Sequence, residues 1–225
     1  MLICSGGFDI GKLIQNGERR GITMKEIILE GVICAIAAGV LMILHELVKA
    51  IVYMGIQRHL GSKRTYSHSI WEVYRYLDPV GIILSVTSSV AFSRPFMFRI
   101  QSKKINRTLG ITGFAVLLLC FCGSMAALKL HILGVSGMTT LEGHGILPKL
   151  ITLYIQYTAI ISLGMLVANL FPISIFDMGL VIAGFSSQKY LGIIKMDGII
   201  KVIFVITLFM DLIHYGCFRF IMLLL

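Results

Sequence analysis

Acid is scarce in this sequence, and charge of either sign is thin. Of 225 residues, 11 are Asp or Glu and 20 are Lys or Arg, and charged residues together make up 14%. A soluble domain carries about 25%, so the chain lacks the polar skin that water requires. Meanwhile 57% of it is hydrophobic. A larger core does not absorb that excess, because a chain of this size still has to present polar surface to water. An outer surface facing acyl chains absorbs it.

Other absences narrow the class further. The five cysteines, Cys4, Cys34, Cys120, Cys122 and Cys217, have no zinc-ribbon spacing and imply no disulfide framework. Cys120 and Cys122 point in different directions on one helix and read as small apolar fillers. The first twenty residues mix Asp9, Lys12, Glu18, Arg19 and Arg20 with isolated apolar residues, so no signal-peptide block forms. The glycines from Gly134 to Gly145 follow no phosphate-loop pattern, and there is neither internal repeat nor low-complexity tract. The net charge of +9 would suggest nucleic acid in a soluble protein. Here the cations sit in short stretches between apolar runs, the pattern of cytoplasmic membrane loops, which points to anionic lipid and away from nucleic acid.

What is present is a series of apolar runs near the roughly 20 residues that a membrane-spanning helix needs. They lie at about Ile27 to Met54, Pro79 to Phe98, Leu109 to Leu130, Leu150 to Pro172 with a resumption from Ile173 to Phe185, and Ile199 to the carboxyl end. The stretch from Gln57 to Asp78 carries Arg58, Lys63, Arg64 and Arg75, and that from Arg94 to Arg107 carries Arg99, Lys103 and Lys104 as well, with no acid. The positive-inside rule puts both on the cytoplasmic side, yet a straight span between them would separate them. A re-entrant segment from Pro79 to Phe98, carrying Ser85, Thr87, Ser88, Ser89, Ser93 and the Arg94-Pro95 pair, removes the conflict, since irregular backbone is tolerated at depth when packed against protein. Trp71, Tyr66, Tyr74 and Tyr76 ahead of it read as interfacial anchors.

Ionisable residues inside such runs cost about 2.5–3.5 kcal/mol each on insertion scales and mark function by default. The first run holds His45, Glu46 and Lys49; the fourth is punctuated by Asn169, Pro172 and Asp177. Pro172 removes a backbone donor, Asn169 is placed to satisfy freed backbone groups, and Asp177 requires a cation, a metal or a donor. Two such clusters imply that their helices meet.

The sequence His45-Glu46-Leu47-Val48-Lys49 resembles the HExxH motif of site-2 proteases, the zinc metalloproteases of intramembrane proteolysis. Asn169-Leu170-Phe171-Pro172, followed by Asp177 and Gly179, resembles their later motif. Leu77 to Ser85 and Phe92 to Arg107 resemble the segments between the two, so the likeness runs from about Ile27 to Phe185. It implies an all-α polytopic membrane protein with a site-2-protease-like core and a re-entrant segment after the first core helix. It also implies His45 and Asp177 as zinc ligands and Glu46 as general base.

Lys49 stands where the family has its second histidine. Zinc in a hydrolytic site takes three protein ligands and a water, and an ammonium carries no free lone pair. Lys49 is therefore expected to replace the metal as the cation, in a polar network with Asn169 and Pro172. Met178 in place of a glycine and the absence of a proline from Gly110-Ile111-Thr112-Gly113 are lesser departures. His59, His68, His131, His144 and His214 are expected to lie away from the site, and Asp211 and His214 share a face of the last helix.

The expected organisation is a polar or amphipathic lead-in (1–23), a membrane core (24–190) and a carboxyl-terminal transmembrane helix (191–225), multi-pass in the plasma membrane. The reading is a pseudoprotease without cofactor that binds a single-pass membrane protein or its transmembrane segment. Two alternatives stay open. One is an active protease with Zn²⁺ on His45 and Asp177. The other is a small transporter or channel subunit using Glu46, Lys49 and Asp177 as a proton relay.

Overall fold

The computed structural model describes residues 24–59, 72–95, 102–132 and 146–224, with backbone alone at 131–132 and 146–149. The regular elements among the described residues are all helices, with no strand. The helices are α1 (Met24–His59), α2 (Pro79–Ser88), α3 (Lys103–Ile132), α4 (Ile146–Asn169), α5 (Asp177–Phe185), α6 (Ser187–Phe209) and α7 (Leu212–Leu224), with a 3₁₀ turn at Val73–Tyr76. The amino-terminal lead-in, Tyr66, His68, Trp71, His144 and the glycine-rich loop lie outside the described residues, as does the side chain of His131.

Three helices are long and apolar enough to cross a membrane, at Met24–His59, Lys103–Leu130 and Leu150–Asn169. Their apolar character does not stop at the core. Ala37, Ala38, Leu41 and Met42 of α1 are buried, while Ile28, Val32, Ile36 and Val40, four apart on the opposite face, are about half exposed or more. A helix of a water-soluble protein would carry polar residues there. This is a membrane protein whose outer surface is apolar.

α3 is the central post, with α1, α4 and α5 packed on it. α5 runs antiparallel to α3, and glycines bring the two backbones together. A Cβ at Gly110 would stand 2.6 Å from Val181 Cγ2, and one at Gly184 would stand 2.6 Å from Arg107 Cβ. One at Gly113 would strike the Asp177 carboxylate. Any side chain at these positions would push the helices apart.

The run beginning at Pro79 is helical for ten residues only. Asp78 caps it, accepting from Val80 N at 2.9 Å, with proline at the first helical position as the cap favours. The helix ends where Ser89 turns left-handed, at φ 54°, and the chain continues non-helical to Pro95. Arg94 N donates to Tyr76 O at 3.0 Å, so the segment returns to its point of entry. Its far end lies beside Cys34, whose Sγ donates to Ser85 O at 3.3 Å.

Two further differences concern the breaks. After α4 the chain stays non-helical from 170 to 176, so the helix resumes at Asp177, not at Ile173. The last apolar run is two helices, because Asp211 adopts φ 51° between α6 and α7. Aspartate is among the few residues that visit this conformation readily. α6 is fastened to the 170–176 segment by Ser174 N donating to Asp197 Oδ1 at 3.0 Å and by Phe204, whose ring lies 5.0 Å from Phe171 and 5.4 Å from Phe176.

Candidate functional site

His45, Glu46 and Lys49 follow one another on the inner face of α1, and all three are buried to within 2% of full enclosure. Asp177 comes to them from the first turn of α5, across Gly113, and is 1% exposed. Asn169, the last residue of α4, holds the join. Its Nδ2 donates to Met165 O at 3.0 Å, and its Oδ1 accepts from Asp177 N at 3.4 Å. The return of the α2 segment supplies Ser93.

These residues form a closed polar knot. Lys49 Nζ donates to Glu46 Oε1 and to Asp177 Oδ1, each at 2.8 Å. His45 Nε2 lies 2.7 Å from Asp177 Oδ2. Ser93 Oγ donates to Glu46 Oε1 at 2.8 Å, so its oxygen receives His45 Nδ1–H at 2.9 Å. With Nδ1 carrying a proton and another shared between Nε2 and Asp177, the group sums to zero charge wherever the shared proton sits. Buried charges persist when they are paired and hydrogen-bonded in this way. Burial raises the Tyr76 hydroxyl above its ordinary value, and the negative charge of Glu46 adds to the effect.

The donor set does not fit zinc as it is arranged. Two ligands of a tetrahedral zinc at about 2.0–2.1 Å stand about 3.3 Å apart, whereas His45 Nε2 and Asp177 Oδ2 are at 2.7 Å. The third side chain that meets both acids is an ammonium, which has no lone pair to offer a metal. Among the described residues no three His, Cys, Asp or Glu side chains form a group suited to a metal.

The structure thus brings together His45, Glu46, Lys49, Asn169 and Asp177, and leaves Pro172 in the non-helical segment between α4 and α5. His59 is exposed at the end of α1. His214 lies on α7 with its Nδ1 buried and unpartnered, so the hydrogen bond that its spacing to Asp211 allowed is not made through that atom. Sequence reasoning missed Ser93, read as one polar residue of several in its segment, and Gly113. The glycine pair three apart at Gly110 and Gly113 was the available signal, since that spacing places both on one face of a helix.

No family model matches this chain, and neither a curated protein nor a solved structure does.

Proposed function

We propose that this chain is a pseudoprotease: a multi-pass plasma-membrane protein with a site-2-protease-like core in which the Lys49 ammonium replaces the metal. It holds a single-pass transmembrane segment rather than cutting it. One observation carries the reading. Lys49 Nζ sits 2.8 Å from both Glu46 Oε1 and Asp177 Oδ1, bridging the two acids that the family resemblance assigns to base and ligand. Glu46 Oε1 is further engaged by Ser93, so one of the two oxygens that could accept a proton from water is already committed.

The hairpin agrees with a re-entrant segment. Ten residues of α2 rise about 15 Å, half the hydrocarbon thickness, and the chain then comes back to Tyr76. A buried ionic knot of this kind is costly to break. Its role here is to fix the register of α1, α5 and the hairpin around the seat of the bound segment.

Metal analysis of the detergent-purified protein tests this. The natural chain is expected to hold no zinc, and Lys49→His to hold one equivalent that a chelator removes. Stoichiometric zinc in the natural chain, lost in His45→Ala or Asp177→Ala, would make it an active zinc protease instead.

A further inference from the structure

The antiparallel register of α3 and α5 has an electrostatic consequence at one end of the bundle. Gly113 meets Asp177, Gly110 meets Val181 and Arg107 meets Gly184. Lys103 and Lys104 lie one turn further out than Arg107 on α3, and α6 begins three residues after Gly184. Lys189 is in the first turn of that helix. Four cations from two distant parts of the sequence therefore lie at the same end of the bundle, and all four are exposed.

Nothing in the described protein balances them. Neither α3 nor α6 has an acid in its first turn, where the positive end of the helix dipole favours one. None of the four forms an ion pair with a described carboxylate. The described acids are engaged or placed elsewhere. Glu46 and Asp177 are in the knot, Glu72 pairs with Arg75, Asp197 with Lys201, and Asp78 caps α2. Glu26 and Glu30 lie at the other end of α1, and Asp211 lies in the turn before α7. The Arg107 guanidinium lies over the ring of Phe185, 5.5 Å from its centroid, and Phe185 is 63% exposed. A cation laid on an exposed aromatic ring, beside apolar helices, is the arrangement of a membrane–water interface.

We propose that this end of the bundle is a binding site for the phosphate headgroup of an anionic phospholipid, held by Arg107, Lys189, Lys103 and Lys104. Phe185 lies along the upper acyl chain. The site does not depend on whether the polar knot binds metal, and it uses none of the knot's residues. Charge complementarity selects the occupant: among the described residues four exposed cations meet no carboxylate, and at the interface the abundant anion is lipid phosphate.

The test is binding of phosphatidylglycerol to the full chain in phosphatidylcholine nanodiscs, read by native mass spectrometry of retained lipid. Arg107→Gln with Lys189→Gln is expected to weaken retention roughly 25-fold, from about fivefold per cation removed at the surface. Lys129→Gln, at the other end of α3, is expected to leave it unchanged. Arg107→Lys, which keeps the charge, should retain most of the affinity and guards against a folding defect in the double variant. Equal retention by the double variant and Lys129→Gln overturns the proposal. So does phosphatidylcholine held as tightly as phosphatidylglycerol. Displacement of the lipid by millimolar inorganic phosphate would also overturn it, making the site one for the free ion.

Discussion

Two groups of charge lie about 9 Å apart along α3 and are treated in opposite ways. At Gly113 the chain encloses His45, Glu46, Lys49 and Asp177 in a ring in which every charge is matched. At Arg107 it leaves Lys103, Lys104, Arg107 and Lys189 exposed and, among the described residues, without an acidic partner. The difference follows from solvent. Inside, an unpaired charge costs several kcal/mol, so the ring must sum to zero. At the interface a cation keeps its hydration, and a net charge is tolerable and available to an outside partner. Breaking the first group should therefore unfold or loosen the protein, and breaking the second should alter what it touches.

The largest effect is expected at Lys49. Lys49→Met removes the cation that bridges two buried carboxylates, and stability should fall by about 3–5 kcal/mol, read from reversible unfolding in mixed micelles. Lys49→Met combined with Asp177→Asn should cost less than the sum of the two single changes, because the second removes the charge that the first leaves unpaired. Additive losses would show that the ring is not one unit.

Gly113→Ala comes next. Its methyl would strike the Asp177 carboxylate, so α5 must move or the Lys49–Asp177 contact must lengthen, at about 1–3 kcal/mol. Gly123→Ala on the same helix has open space around the added carbon and should be neutral or slightly stabilising. Equal behaviour of the two would remove the close approach from the account. Ser93→Ala deletes the donor to Glu46 and the acceptor of His45 Nδ1, leaving buried groups unsatisfied at about 1–3 kcal/mol. The sharper readout is zinc binding in the Lys49→His background, where loss of Ser93 should free the imidazole to reorient.

What could be read in advance, and what could not, divides along physical lines. The spans of α1, α3 and α4 were legible because some twenty apolar residues have few other uses. The meeting of His45, Glu46 and Lys49 with Asp177 was legible because each is costly in lipid without the others. The end of α2 was not: Val90, Ala91 and Phe92 continue the apolar text, and the chain turns at Ser89 in a conformation for which glycine is the usual sign. The same holds at Asp211, where one acid in an apolar run read as a hydrogen-bonding partner for His214 and is in fact the corner between two helices. Ser93 stayed hidden because a serine in a helix-like stretch has an ordinary use, donating to a carbonyl one turn back as Ser124 and Thr158 do. The cluster at Arg107 was half visible. Its α3 members form a run in the sequence, but Lys189 joins them only through the register with α5.

The smallest expected change in stability is at that cluster. Arg107 touches the fold through its stacking on Phe185 and through its backbone against Gly184. Arg107→Gln keeps the backbone contact and loses an exposed cation–aromatic interaction of roughly 0.5–1 kcal/mol, so the unfolding midpoint should barely move in neutral lipid. In phosphatidylglycerol the same change should lower the midpoint further, because a ligand bound to the folded state stabilises it in proportion to its occupancy. If the shift is the same in both lipids, the four cations serve only to orient the chain by long-range attraction. If it appears in phosphatidylglycerol alone, the exposed charge does at the surface what Lys49 does inside: it meets its counter-ion at close range, with that counter-ion supplied by the membrane.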